Sequence, residues 1–178
     1  QVQTKRLAGL TNDLIYLSRM EEGQTQISMI EFPFSEVTEE AAQSFQNLAK
    51  VKGKDFKVDI EPMLTFKGDE KAIRQLLSIL LDNAVKYCTE QGQIKLNVSH
   101  KGKNISLSVY NTAQELTKEN IDHLFDRFYR TDESRNSQTG GYGIGLSVAK
   151  AVVETHHGKI TASSEDGRSL LITVILKM

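Results

Sequence analysis

The sequence predicts an α/β (α+β) two-layer sandwich, a sheet with its helices packed on one face. Three observations carry this. Several segments of five to eight residues alternate apolar and polar side chains, the period of a half-buried strand. Between them run longer segments whose apolar residues recur every three or four positions, so that each helix has a single apolar face. Elements with one apolar face each must cover one another, and a sheet layered on helices does that. The chain of 178 residues is long enough for one such domain plus an appendage.

Composition narrows the function. A formal net charge of −1 argues against a nucleic-acid-binding surface. No apolar run approaches the length of a membrane span, and no signal peptide is present. The single cysteine, Cys88, excludes an internal disulfide and fits a reducing compartment. Cysteine and histidine show no metal-ligand spacing.

In chain order, residues 1–22 read as an amphipathic helix whose Leu7, Leu10, Leu14 and Leu17 form a heptad seam. So short a helix wants a partner, either its own domain or a second copy. The chain opens inside this helical pattern and reads as part of something longer. Ile27 to Phe34 alternates as a strand, and Ser35 is placed to cap a helix reaching about Lys50, which Gly53 stops. Lys54 to Ile60 and Met63 to Lys67 read as short strands around Pro62. Asp69 caps the next helix, which carries Ile73, Leu76, Leu77, Leu80, Leu81, Ala84 and Val85 on its apolar face. Gln93 to His100 and Ile105 to Tyr110 form a hairpin about Lys101-Gly102-Lys103-Asn104. Thr117 caps a short helix to Phe125, Leu146 to His156 is the last helix, and Lys159 to Ser164 and Ser169 to Leu176 form a closing hairpin.

The chemistry concentrates in two places. Gly140, Gly141, Gly143 and Gly145 fall just ahead of the last helix. Glycines let backbone N–H groups approach a ligand, and a helix N-terminus adds unpaired donors and partial positive charge. Together they suit a phosphate chain. Gly141-Tyr-Gly-Ile-Gly-Leu146 lacks the third dinucleotide-fold glycine and a preceding strand, and no Gly-Lys-Ser/Thr follows, which excludes a Walker A loop. The second place is Leu80 to Cys88, where Asn83 sits beside a core-facing stripe. Asn83 is either a polar residue paired with a neighbour or an oxygen ligand for a hard cation such as Mg2+. Lys86, three residues on, shares its face and could meet a phosphate. Asp126 to Thr139 is polar and nearly free of apolar anchors, which suits a mobile lid.

Phe125-Asp-Arg-Phe-Tyr-Arg130 resembles the F box of sensor histidine kinases, Gly141 to Leu146 their second glycine box, and Leu80 to Cys88 their N box. Leu14 to Gly23 looks like the end of a second dimerisation helix, so the resemblance covers about residues 7–178. It implies a Bergerat-type sandwich, a mixed sheet on three helices. Residues 1–23 would be the dimerisation helix end and linker, and 24–178 the catalytic ATP-binding domain with a lid at about 112–139.

The implied reaction is transfer of the γ-phosphoryl of Mg·ATP to a histidine on an upstream helix. Asn83 would coordinate Mg2+, Lys86 contact phosphate and Tyr87 pack on adenine. Gly141, Gly143, Gly145 and Leu146 would cradle the phosphates, with Arg127 and Arg130 reaching them as charge redistributes. The implied partners are the protein's own dimerisation helices, a second copy and a response regulator. The domain would be cytoplasmic, joined to a membrane only through upstream segments.

At Asn111 the family's Asp-x-Gly-x-Gly reads Asn111-Thr112-Ala113-Gln114-Glu115. An amide oxygen still accepts from the adenine amine, so adenine binding is expected to be altered or weakened rather than lost. His100, His123, His156 and His157 lie in no His-Glu-x-x-x-Pro setting, and His156 and His157 read as helix-end partners. Rival readings are an ATP hydrolase of the gyrase and Hsp90 type, a non-catalytic dimerisation scaffold and a stand-alone serine kinase. Hydrolases of that type place a Glu base four residues before the metal Asn, where this chain has Ile79. The heptad helix speaks against the serine kinase.

Overall fold

The computed structural model describes residues 11, 12, 14, 15, 18, 19, 22, 23, 28–130 and 144–178. Along them run β1 (Ile30–Pro33), α1 (Phe34–Val51), β2 (Asp55–Ile60), β3 (Thr65–Gly68) and α2 (Glu70–Tyr87). Then follow β4 (Gln93–Lys101), β5 (Asn104–Thr112), α3 (Lys118–Asp122), α4 (Gly145–Thr155), β6 (Lys159–Ser163) and β7 (Ser169–Lys177). The main sheet has the order β2-β4-β5-β7-β6. β2 is parallel to β4 and the remaining pairs are antiparallel, so the sheet is mixed.

Strand alternation builds the inner face. Leu96 pairs with Val109 and Val109 with Ile172, so buried side chains of successive strands form rows across the sheet. α1, α2 and α4 cover this face, with α2 between the other two. Ile73, Leu76, Leu77, Leu80, Leu81, Ala84 and Val85 of α2 are all buried. Each large one contributes about 1.5–3 kcal/mol of transfer free energy. β1 and β3 form a separate two-stranded ribbon, closed by Phe32, Phe34 and Phe66 with ring centroids 6.0–6.4 Å apart.

Three local expectations change. Ser35 does not cap α1. The helix starts two residues earlier, after Pro33, and the buried Ser35 hydroxyl donates to Glu61 O (2.6 Å) and accepts from Leu64 N (2.9 Å). Burying Phe34 in the aromatic cluster sets this start. The strand expected from Ile27 begins at Ile30. β3 begins at Thr65 because Met63 turns through φ 64° with its side chain 92% exposed. Of the N-terminal helix, residues 11, 12, 14, 15, 18 and 19 are helical, and Leu14 packs against the core. Leu7, Leu10 and Leu17 lie outside the described residues.

Asp69 caps α2 as expected, accepting from Ala72 N (3.2 Å). Its own N–H donates to Nε2 of the buried His156 (3.0 Å), whose Nδ1 donates to Val152 O (2.8 Å). His156 therefore ties the C-terminus of α4 to the N-terminus of α2. At the other end, a Cβ on Gly145 would lie 3.5 Å from Ile79 Cγ2. At about 1.5 Å rise per residue, Asp69 to Ile79 and Gly145 to His156 both span about 15–17 Å. The two helices therefore run antiparallel, side by side. The last two turns of α2 project beyond the start of α4.

Candidate functional site

That overhang defines the site. Asn83 lies one turn beyond Ile79, and Lys86 and Tyr87 about a turn further, on the same stripe. All three are half-buried. The N-terminus of α4 meets this stripe at Ile79 and faces the space along Asn83 to Tyr87. No side chain caps α4 at Ile144. The first intrahelical bond comes from Val148 N to Ile144 O (3.0 Å), and among the described residues the amides of Gly145, Leu146 and Ser147 meet no backbone acceptor. The Ser147 hydroxyl turns back to donate to Ile144 O (2.6 Å). Buried Ile144 anchors the turn in the core. Gly145 keeps an ordinary φ, and among the described residues the space a Cβ would take is bounded within 4 Å only by Ile79, so backbone can be approached closely there.

The electrostatics agree with an anion. The N-terminus of α4 carries partial positive charge. The Lys86 ammonium stands on α2 at 2.8 Å from Asp82, a half-exposed i,i+4 pair that an incoming phosphate can compete for. Among the described residues no cluster of three or more His, Cys, Asp and Glu forms a metal cage. A cation here would rest on Asn83 and on oxygens brought by the ligand and water, which is the donor set Mg2+ takes.

The end of α2 is bound to the sheet by groups the sequence did not single out. Lys54 donates to Val85 O (2.6 Å), and burial pulls its amine below its usual range. Thr89 N donates to Thr112 O (3.2 Å), while the two threonine hydroxyls share a 2.8 Å bond. Gln93 N also donates to Thr112 Oγ1 (3.1 Å). Gly92 fills the remaining space, since a Cβ there would overlap Thr112 Oγ1 and lie 2.7 Å from Cys88 Sγ. This joint sets Tyr87 and Asn111 relative to each other, because Asn111 precedes Thr112 on the inner face of β5. Asn111 is 2% exposed, and its Nδ2 donates to Thr112 O (3.0 Å). Nothing in the sequence named its partners.

Arg127 and Arg130 lie on neither helix of the site but on the segment leaving α3. Thr117 and Asn120 form a reciprocal capping box, the expected Thr117 cap with a second half. Asn120 Nδ2 also donates to Tyr129 OH (2.9 Å), and the His123 ring lies 5.6 Å from that of Tyr129. His123 Nδ1 bonds Asp126 (2.7 Å), which holds the imidazole above its ordinary pKa. Phe128 takes φ 65°, a strained turn for an aromatic residue, with Arg127 exposed and Arg130 half-buried beside it. Gly141, Gly143 and the segment 131–139 lie outside the described residues.

Residues 68–178 match the family model described as histidine kinase-, DNA gyrase B- and HSP90-like ATPase. The chain is 34% identical over 166 residues to the sensor histidine kinase YkoH of Bacillus subtilis, covering 93% of this chain and 35% of that protein. It is 32% identical over 163 residues to the sensor protein DltS of Streptococcus agalactiae, covering 92% of this chain and 41% of that protein. The chain thus spans about two fifths of the length of these relatives. The solved structure of the Acinetobacter baumannii histidine kinase AdeS superposes with a TM-score of 0.80 at 26% identity, over 99% of this chain and 80% of that one. The antiparallel pair α2 and α4 lies wholly within residues 68–178, and this chain belongs to the histidine kinase-, DNA gyrase B- and HSP90-like ATPase family.

Proposed function

We propose that this chain is the ATP-binding and catalytic part of a sensor histidine kinase, transferring the γ-phosphoryl of Mg·ATP to a histidine carried on a dimerisation helix. The observation that carries the reading is the antiparallel pair. It sets the uncapped start of α4 against the overhanging turns of α2, so phosphate donors and a cation ligand face one space. The phosphates lie on the amides of Gly145 and Leu146, with Gly141 and Gly143 ahead of them, and Lys86 turns from Asp82 to meet them. Asn83 supplies an oxygen to Mg2+, and bound Mg2+ neutralises phosphate charge. Tyr87 packs against the adenine and Asn111 accepts from its amine. Arg127 and Arg130 approach from the turn after α3 and oppose the charge that shifts during transfer.

In this reading residues 1–23 are the end of a dimerisation helix and 24–178 the catalytic domain, with its lid at about 112–139. A homodimer, a response regulator and cytoplasmic placement beside a membrane belong to the whole protein. Among the described residues no helix is long and apolar enough to cross a membrane.

The test is Asn83→Ala. Titrated with a fluorescent ATP analogue, wild type should bind more tightly with Mg2+ than with EDTA, and the variant should lose that difference at unchanged thermal stability. Mg2+-dependent binding equal to wild type would remove Asn83 from the site.

A further inference from the structure

The main sheet has two unlike faces. α1, α2 and α4 cover the inner one. On the outer one the strand register sets side chains in rows. Lys57, Lys95, Tyr110 and Leu171 stand in one row, and Lys101, Asn104 and Lys177 in another. Lys159 stands beside Ile175 at the β6 edge, and Lys103 in the turn from β4 to β5. All six lysines are exposed, and among the described residues none of them is in an ion pair. The carboxylates beside them are Asp55, Asp59 and Glu61, half as many, and His100 takes Glu61 (2.6 Å). A chain of formal net charge −1 thus carries an excess of positive charge on this face. The proposed phosphate site lies on the helix side of the sheet, so these lysines do not serve it.

We propose that the outer face of the main sheet docks on an anionic lipid surface, its lysines set against phosphate headgroups. The proposal goes beyond the nucleotide reading and does not depend on it. The cations in these rows are lysines throughout. Lysine is a compact point charge on a flexible stem, suited to a diffuse field of headgroups, whereas a fixed carboxylate or phosphate on a protein partner is matched by the planar fork of arginine. Between the lysines lies a low floor of short polar side chains, among them Asn97, Ser99, Ser106, Ser108, Thr161 and Thr173. Specific protein partners dock through apolar or aromatic anchors. None of the large apolar side chains left exposed belongs to the five strands, and the Tyr110 ring lies under the Lys95 ammonium, 5.5 Å from its centre. Acids on the outward side of α1 and α2 stand behind a helix layer about 10 Å thick, close to the Debye length at ~0.1 M salt, so they weigh little against the face. Docked this way, the chain keeps its helices and the start of α4 turned away from the lipid.

Cosedimentation with vesicles tests this. Vesicles of equal parts phosphatidylcholine and phosphatidylglycerol should bring wild type down at low salt, pure phosphatidylcholine should not, and high salt should release it. Lys57→Gln, Lys95→Gln, Lys159→Gln and Lys177→Gln together should lower the partition coefficient by about tenfold or more, since each lysine at an anionic surface contributes roughly fivefold. Lys50→Gln, Lys67→Gln, Lys71→Gln and Lys150→Gln, taken from the helices and the ribbon, change the net charge equally and should leave it within about threefold. Thermal unfolding checks that both variants fold. Equal losses in the two would reduce the effect to net charge and overturn the face. Wild type that sediments no better with anionic than with neutral vesicles would overturn the lipid surface, and that comparison needs no variant. Release from the vesicles by a random-sequence DNA duplex carrying less phosphate than the lipid would overturn it in favour of nucleic acid.

Discussion

Single residues in this chain act by what they hold, and Gly68 shows it most directly. A Cβ there would overlap Phe66 Cε2 and lie 2.9 Å from His156 Cδ2. Both neighbours are fixed, Phe66 in the aromatic cluster and His156 between the ends of α2 and α4. Gly68→Ala should therefore cost about 1–3 kcal/mol, as overpacking of a closed core does. The denaturation midpoint measures it, and an unchanged midpoint would mean that the ribbon yields freely. His123 gives a pH-dependent case. Its bond to Asp126 leads the causes that raise it above 6.5, with Asp126, Glu119 and Asp122 adding attraction. A raised folded pKa stabilises the folded state fully below the unfolded value and loses that effect as pH rises through the folded value. The turn carrying Tyr129 should thus be held better in mild acid than above neutrality. An NMR titration should find His123 ionising above 6.5, and Asp126→Asn should bring it back down. No change in the variant would break the assignment. The caps at Asp69 and Thr117 were legible in the sequence because each side chain reaches a backbone group three residues on. Ser35 was not, because its partners lie 26 and 29 residues away.

At the scale of elements, periodicity located α1, α2, α4 and the strands of the main sheet to within a residue or two, since each is amphipathic. Its reach ended at the β1–β3 ribbon, where boundaries follow the aromatic cluster and the turn at Met63 rather than alternation. Nor could a helix pattern say that α4 runs antiparallel to α2, which is what gives the site its shape. That direction depends on His156 meeting Asp69 N–H and on Gly145 meeting Ile79, contacts between segments distant in the chain. It also makes a prediction about α4 as a unit. The amides of Gly145, Leu146 and Ser147 precede the first intrahelical bond at Val148, and a phosphate chain is their proposed acceptor. Hydrogen exchange at 145–147 should slow on adding Mg·ATP, and more than across the β6–β7 hairpin, which carries no proposed ligand contact. Equal change in both places would detach the helix start from the nucleotide.

For the molecule as a whole, the strings that resemble the N box, F box and glycine box were legible, because the phosphate and cation binding proposed for them needs particular residue types at fixed spacing. The joints that orient them were not. Lys54 on Val85, Thr89 on Thr112 and His156 on Asp69 join residues that no local pattern connects. The family contains hydrolases as well as kinases by its description, so the assembled fold leaves the fate of the γ-phosphoryl to individual groups. Hydrolysis needs a base to take a proton from water as it attacks. The position one turn before Asn83 holds Ile79, a hydrocarbon side chain facing the start of α4, where no proton can be accepted. Transfer to histidine needs an accessible imidazole, and three of the four in this chain are otherwise engaged. His100 bonds Glu61, His123 bonds Asp126, and His156 is buried between two helices. His157 is exposed in the turn that ends α4, where its backbone N–H donates to Glu154 O (2.9 Å), and it lies in no His-Glu-x-x-x-Pro setting. Incubated with Mg2+ and γ-labelled ATP, this chain should therefore bind nucleotide yet neither label itself nor release phosphate appreciably. A separate protein carrying an acceptor histidine on a dimerisation helix should become labelled when mixed with it, and Asn83→Ala should abolish that labelling. Steady phosphate release by the chain alone would instead mean that some other group activates water beside Ile79, and would replace the proposed kinase reading with the hydrolase one.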